Sequence, residues 1–430
     1  MDLVQSKPNI LILSRGFRAG DAITTLNLFS KWPEENLFCA SLVESEYADK
    51  ICGFYFLGHK EVKYKFPFNH FSRPKESHIG LQGIEKRNNS TSILGKIYNL
   101  IGRPILQWLD LYETRLSINV SLEFEAWLTS INPIAVYTSV GDIAMARFIL
   151  EFHKKFPSIK IIVHGFDDWL SPTYSIINGK SHRKKAETLF KKVLSIASGR
   201  FTATQKMAQE YASRYGYEFS VFTNPAPISS INYIVEKAKK PNILFIGKVG
   251  WHNNDALRLM INAIEKITHI GHKVCFDIYT DTPTNELKKL LGKLPEQVIV
   301  HEPVPNSQIT SILVSAHVLY LPISINDQNI RFTRFSMSTK MGEYLNAGVP
   351  IIYLGPKNIA MTEFLEVHDC AEIITENSVD ELTDRLIHVL KSPDHNKLEN
   401  GKKIALKYFN KDIVSNNFSK AIYNICVTNL

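Results

Sequence analysis

Apolar positions in this chain form two successive series of short runs, and most runs are followed by a stretch with helical spacing. In the first series, residues 9–14 (NILILS), 37–43, 54–57, 134–138, 160–164, 201–204 and 219–223 are apolar with little alternation. A run apolar on both faces suits a strand covered on both sides, the habit of parallel sheets flanked by helices. Residues 21–31 and 142–156 carry a helical period, and Asp21 stands where an N-cap belongs. The pattern predicts an α/β fold with a doubly wound parallel sheet.

The series starts again after residue 241. Strands are expected at 242–247, 274–279, 297–301, 318–322 and 350–354, with helices at 254–269, 285–291, 307–315 and 339–347. Asn224-Pro225-Ala226-Pro227 and the polar stretch behind it separate the two series. The expected division is residues 1–225 as one Rossmann-like domain, 226–410 as a second, and 411–430 as a helix returning to the first. Ligands of such sheets bind beyond the carboxyl ends of the strands, so a cleft between two of them is the expected site. Two stretches interrupt the rhythm. Residues 59–89 show no steady period and mix basic side chains with Phe and Tyr, which reads as a long functional excursion. Residues 92–130 read as a long amphipathic helical region.

Composition narrows the picture. With 44% hydrophobic and 21% charged residues in 430, disordered and fibrous classes are excluded. Five cysteines are scattered with no C-x-x-C pair, which argues against a disulfide framework or a thiolate zinc site and for a reducing compartment. The first apolar run is too short for a signal or membrane span, so a cytoplasmic location is expected. The net charge of +8 is unevenly spread. Up to Lys240 there are 31 Lys and Arg against 22 Asp and Glu, and beyond it 19 against 20. A basic first half suits anionic lipid or a phosphorylated substrate; no nucleic-acid module is recognisable, and no nucleic-acid partner is expected. The chain lacks G-x-S-x-G, Walker A and H-E-x-x-H motifs and any clustered His/Cys set, which sets aside those hydrolases, P-loop enzymes and metal centres.

The most informative stretch is STKMGEYLNAGVP, residues 338–350. Ser338 is placed to cap a helix, Thr339 and Lys340 lie in its first turn, and Gly348 supplies a left-handed terminator. Position 341 is Met, so no capping box occupies the free N–H groups, and the helix start is open to an anion. Lys340 suits a diphosphate there. Glu343, one turn deeper, suits the two vicinal hydroxyls of a ribose. The plainer alternative is an exposed Lys–Glu pair on a surface helix. Gly247-Lys248 closes the first strand of the second series. Arg331 and Arg334 precede the helix as further cations, or as a solvated loop face. In the first half, His164, Asp167 and Asp168 stand at the carboxyl end of a buried strand, as candidates for a phosphate or sugar donor and a general base; the alternative is a core histidine and a helix cap. Gly16 and Gly20 bracket a turn after the first strand.

FIGKVGWHNNDALRLMINAI and STKMGEYLNAGVPIIYLG, within residues 242–375, resemble the donor-binding elements of nucleotide-sugar glycosyltransferases of the GT-B fold, in particular the group 1 (family 4) set. The resemblance implies two Rossmann-like domains facing a cleft, the first on the acceptor side and the second on the donor side. It gives Lys340 and Glu343 the nucleotide diphosphate and ribose, and Lys248 a contact to the donor diphosphate. It brings His164 toward the donor sugar, and it sets the turn at Gly16 and Gly20 under the donor phosphate beside the acceptor. Two positions depart: Trp251-His252-Asn253-Asn254 stands where the family often has Lys-Gly, and Phe335 stands where it often has a second glutamate. The implied function is transfer of a sugar from a nucleoside-diphosphate sugar, needing no other cofactor and no metal, to a hydroxyl of a glycan or lipid-linked acceptor. Retention of configuration and a place in surface polysaccharide or glycoconjugate synthesis are implied as well. A non-catalytic GT-B scaffold and a nucleotide-sugar epimerase are the alternatives. Phe66, Phe68 and Phe71 beside Lys63, Lys65 and Arg73, and the runs Arg183-Lys184-Lys185 and Lys191-Lys192, are candidates for peripheral contact with an anionic membrane. For the latter runs a solvated face is the favoured reading.

Overall fold

The structure is a computed structural model, described for residues 7–17, 19–65, 69, 74–80, 102, 105–106, 115–170, 179–228, 237–238 and 240–428. The chain forms two compact units: Met1–Phe222 with Ser415–Leu430, and Thr223–Val414.

The strands of the first unit are β1 (Ile10–Ser14), β2 (Leu37–Ser41), β3 (Gly53–Phe56), β4 (Val62–Tyr64), β5 (His78–Ile79), β6 (Leu116–Ile118), β7 (Ala135–Thr138), β8 (Lys160–Gly165), β9 (Ala197–Thr202) and β10 (Ser220–Val221). Eight form one sheet in the order β10-β9-β8-β7-β1-β2-β3-β5. Its neighbours pair in parallel except β5, which runs antiparallel to β3. The order of succession reverses between β1 and β7. The interior strands are buried along nearly their whole length, as the unbroken apolar runs require. The helix Lys411–Val427 contributes Phe418 to this core, where the ring meets those of Phe29, Phe222 and Tyr137 edge-on at 5.0, 5.2 and 5.7 Å. Lys160 Nζ donates to the carbonyls of Ile425, Cys426 and Thr428 and so closes the end of that helix.

The expected helix over 92–130 is corrected where it is described. Leu116–Ile118 is instead a strand, paired antiparallel with β4. The helix begins only at Leu122, where the Ser121 hydroxyl accepts from the Phe124 N–H. Leu116, Ser117 and Ile118 alternate with period two, a signal too short to stand out beside the apolar helix that follows. Most of 92–114 lies outside the described residues, as do Phe66, Phe68, Phe71 and Arg73. The first helix begins two residues earlier than expected and ends three earlier: it spans Ala19–Leu28, so Asp21 lies inside it and not at the N-cap position.

The second unit holds β11 (Asn242–Ile246), β12 (Cys275–Tyr279), β13 (Val298–His301), β14 (Val318–Pro322), β15 (Ile351–Leu354) and β16 (Glu372–Ile374). They form one all-parallel sheet in the order β13-β12-β11-β14-β15-β16, the Rossmann succession. Alternate residues feed two cores. Ile243, Phe245, Val318, Tyr320, Ile352 and Leu354 belong to one, and Leu244, Ile246, Leu319, Leu321, Ile351 and Tyr353 to the other. The helix Asn254–His269 covers the first face with Leu257, Met260, Ile264 and Ile267, all without exposed surface. Each such side chain contributes about 1.5–3 kcal/mol of hydrophobic stabilisation. Among the described residues no helix is long and apolar enough to cross a membrane.

Candidate functional site

In the second unit the succession of strands reverses between β11 and β14, and ligand crevices of doubly wound sheets open at the carboxyl ends of such a pair. Gly247 and Lys248 follow β11 directly, with Lys248 exposed. The loop they begin is held by side chains to which the sequence reading gave no structural role. Asn253, 3% exposed, accepts from the Gly250 N–H at 2.9 Å and donates to the Lys248 carbonyl at 3.0 Å. The Thr282 hydroxyl accepts from the Val249 N–H and donates to the Val249 carbonyl. Asp255 gathers the loop after β14, accepting from the Ser324 hydroxyl and the Ile325 and Asn326 N–H groups at 2.8, 3.0 and 3.1 Å. Asn329 ties the two loops by donating to the Trp251 carbonyl and to Ser324 Oγ. In the stretch Trp251-His252-Asn253-Asn254, which was compared with a Lys-Gly, the chain thus has an asparagine that orders the loop from within.

The helix after Ser338 is shorter than its sequence suggested. It spans Met341–Asn346, with Lys340 at the N-cap. The Ser338 hydroxyl accepts from the Lys340 N–H at 3.2 Å, and the Met341 N–H donates to the Ser338 carbonyl at 3.1 Å, so Ser338 builds the turn before the helix and does not cap it. Six residues carry little macrodipole, so most of the positive potential here comes from the lysine side chains. Gly348 stands at φ 63° and terminates the segment as expected.

Two contacts place this helix against the sheet. The buried Tyr344 hydroxyl accepts from the Ile246 N–H at 3.0 Å, fastening the helix to the last residue of β11 beside Gly247. Gly342 lies so close to Phe409 and Ala226 that a Cβ on it would sit 2.7 Å from Phe409 Cβ and 3.0 Å from Ala226 Cβ. Both neighbours belong to a strap of backbone in which the Ala226 N–H donates to the Phe409 carbonyl and the Lys411 N–H to the Ala226 carbonyl. The visible signal for Gly342 was a glycine inside a helical pattern, which costs about 1 kcal/mol against alanine unless space demands it.

Lys340 and Glu343 are both half-buried, and Thr339 is exposed. Burial raises the Glu343 carboxyl above its ordinary range, while the charge of Lys340 pulls it partway back. A carboxylate held at such a cost is a ready acceptor for two hydroxyl donors. Arg331 and Arg334 are exposed, and the Arg334 guanidinium lies over the Phe335 ring at 5.1 Å from its centroid. Phe335 itself is 2% exposed, so the position where a second glutamate was compared is a core residue here.

The first-unit candidates separate. His164 has no exposed surface; its ring stacks on Phe166 at 4.1 Å, meets Phe201 edge-on, and its Nδ1 lies 2.7 Å from the Tyr137 hydroxyl. Burial pushes its pKa down to about 3, so it is neutral near pH 7. Asp168 is 3% exposed and accepts from Tyr211 at 3.1 Å and from Arg214 at 3.0 and 3.2 Å. Both therefore sit in the interior: aromatic rings enclose His164, whereas Asp168 caps no helix and is held by side chains of the helix Gln205–Tyr215, whose N-cap is Thr204. Asp167 is exposed. Gly16 has only Val43 near its missing Cβ, at 3.8 Å; Gly20 has nothing within 4 Å and lies within the first helix, not at the end of a loop. At the β1/β7 reversal the structure adds an unexpected pair: Arg15, half-exposed, bonds the buried Asp142 carboxylate, which caps the helix Ile143–Lys155 through the Met145 N–H.

Residues 240–392 match the family model of Glycosyl transferases group 1. No curated protein matches the sequence. Among solved structures, a glycosyltransferase from Rickettsia africae ESF-5 superposes with TM-score 0.61 at 13% identity, covering 99% of this chain and 100% of the other. Anabaena HepE in complex with UDP gives TM-score 0.61 at 9% identity, covering 96% and 99%. The sucrose-phosphate synthase of Thermosynechococcus elongatus gives 0.56 at 10% identity, covering 97% and 99%. Likeness at this level of identity establishes the architecture, which is that of GT-B glycosyltransferases.

Proposed function

We propose that this chain, whose second unit carries a Glycosyl transferases group 1 domain, transfers a sugar from a nucleoside-diphosphate sugar to a hydroxyl of a glycan or lipid-linked acceptor. The supporting observation is that the Tyr344 hydroxyl fastens the helix that begins after Lys340, and that carries Glu343, to Ile246, the last residue of β11, which Gly247 and Lys248 follow, all inside the matched segment. In the reaction the bond from the anomeric carbon to the diphosphate oxygen breaks, and the diphosphate leaves with the electron pair. A bond to the acceptor oxygen forms, and that oxygen loses its proton. Lys248 and Lys340 stabilise the charge growing on the departing diphosphate, and Glu343 holds the ribose. Arg331 and Arg334 add positive potential. Asp167 is the exposed acid of the pair Asp167 and Asp168 and the candidate acceptor for the hydroxyl proton; the burial of His164 and Asp168 supports structural roles for them. Retention of configuration, catalysis without a metal, and work at the cytoplasmic side in surface glycan synthesis belong to the same proposal.

Calorimetry with UDP and GDP, followed by a donor-hydrolysis assay, tests the reading. One nucleoside diphosphate should bind, and a concentration of 100 times Kd should stabilise the protein by about 2.7 kcal/mol. Lys340→Ala should weaken both binding and turnover. If neither nucleotide binds and no donor is turned over, the scaffold reading takes its place. Conversion of donor without acceptor would favour the epimerase.

A further inference from the structure

In the first unit the helices Ile143–Lys155 and Gly179–Ile196 flank an open pocket of about 370 Å³ lined by Arg147, Lys184, Lys185, Thr188 and Leu189. Its volume falls at the lower end of the ~300–1,000 Å³ typical of small-ligand pockets. Three of five lining residues are cations and none is an acid. Among the described residues no carboxylate pairs with Arg147, Lys184 or Lys185, although other surface lysines of the unit, such as Lys60, Lys75 and Lys155, each have one. Glu187, the only acid in the sequence of the second helix, does not line the pocket. The helix buries Ala186, Phe190, Val193 and Leu194 and leaves Lys184, Lys185, Lys191 and Lys192 outside, so its packing fixes which face carries the charge.

Topology gives the pocket a position. The helix Ile143–Lys155 follows β7, and Gly179–Ile196 ends where β9 begins, so both run from the carboxyl edge of the first sheet toward its amino edge. Arg147 lies four residues into its helix and the lining residues Lys184 to Leu189 five to ten into the other, which spreads the pocket over about 6–15 Å along the layer from that edge, with its three cations within about 9 Å. Ligands of parallel sheets gather at the same edge.

We propose that this pocket binds a phosphoryl group carrying two or more negative charges, with Arg147 as the bidentate fork and Lys184 and Lys185 as point charges. A single carboxylate would leave three neighbouring cations undercompensated, whereas a phosphomonoester or diphosphate matches them. Thr188 donates to the Lys184 carbonyl at 2.7 Å, so the cations make the main contacts, and Leu189 offers an apolar wall to whatever the phosphate esterifies. The same chemistry arrives from two sources, a soluble phosphorylated ligand or the headgroup of an anionic lipid. The inference does not depend on the donor-site reading.

The test compares wild-type protein with Arg147→Gln/Lys184→Gln/Lys185→Gln and with a control of equal charge loss in the second unit, Lys288→Gln/Lys289→Gln/Lys293→Gln. Pyrophosphate titration by calorimetry probes the soluble source, and co-sedimentation with phosphatidylglycerol vesicles probes the lipid. Either affinity should fall about tenfold or more in the pocket variant and stay near wild type in the control, because each lost cation–phosphate contact is charge-assisted. Loss confined to pyrophosphate assigns a soluble ligand; loss confined to vesicles assigns a lipid. Equal losses in both triple variants, or none in the pocket variant, overturn the proposal. Lys185→Gln alone, at an exposed position, repeats the test if the triple variant melts early.

Discussion

Replacing Gly342 by alanine sets two physical effects against each other, and the sign of the outcome decides between them. Helix propensity alone favours alanine by about 1 kcal/mol at an ordinary helical position. The new methyl would meet Phe409 Cβ at 2.7 Å and Ala226 Cβ at 3.0 Å, whereas carbon atoms settle at about 3.5–4.0 Å. Both neighbours are Cβ atoms fixed to backbone, so no rotamer change relieves the contact, and Ala226 and Phe409 are themselves hydrogen-bonded to each other. Opening the gap by up to an ångström carries an overpacking cost of about 2–3 kcal/mol. The net expectation is destabilisation by about 1–2 kcal/mol, a fall of roughly 2–8 °C in melting temperature for a unit of this size. The same shift would carry Lys340 and Glu343 away from β11 and strain the Tyr344–Ile246 hydrogen bond, so nucleoside-diphosphate affinity should drop in parallel. Differential scanning calorimetry and a UDP titration read both. A variant that melts at or above the wild-type temperature with undiminished nucleotide affinity would show that the close approach does not position the helix.

Other perturbations address single residues. Glu343→Gln should weaken UDP binding about tenfold, since neutral hydrogen bonds replace charge-assisted ones. Because burial raises this carboxyl, its ionisation opposes folding at neutral pH, and the ligand-free variant should melt no lower than wild type. Wild-type affinity should decline as pH falls through that raised pKa while the glutamine variant stays flat; parallel pH profiles would remove Glu343 from the ribose. Asp168→Asn should cost about 2 kcal/mol in urea unfolding, below the ~3–5 kcal/mol of a fully buried broken pair because Arg214 keeps Glu210 and some solvent. It should keep its turnover number well below the melting temperature, and a collapse of turnover in a stably folded variant would restore Asp168 to the chemistry. The folded state resists protonating His164 while the unfolded chain accepts a proton below about pH 6.5, so stability should fall with acidification by roughly 2 kcal/mol between pH 6.5 and 5. His164→Gln should flatten that limb of the urea midpoint against pH, and an unchanged slope would show that the ring is not sealed from solvent.

Much of the architecture was legible because parallel strands buried on both faces leave a signature that needs no tertiary knowledge. Residues 242–246 and 318–322 read as strands from their unbroken apolar runs, and the helix Asn254–His269 from its period. Short strands escaped. Leu116–Ile118 has three residues, too few for a period to declare itself, and its pairing with Val62–Tyr64 joins segments more than fifty residues apart. The helix at 341–346 was found, but its start was misplaced, because Ser338 can bond its own turn as readily as it can cap.

Residue types and local spacing determined where the phosphate-suited lysines and the ribose-suited glutamate stand, since i and i+3 share a helix face wherever the helix lies. Tertiary packing alone decided that this helix is fastened to the end of β11, through the Tyr344 hydroxyl, with Gly342 pressed against Phe409. It also decided that His164 and Asp168 belong to the interior. Their place at the end of a strand was readable, but whether a strand end opens to solvent depends on which distant side chains close over it, here Tyr137, Phe418, Tyr211 and Arg214. Burial is a property of contacts between remote parts of the chain, and no local pattern encodes it for a single polar residue.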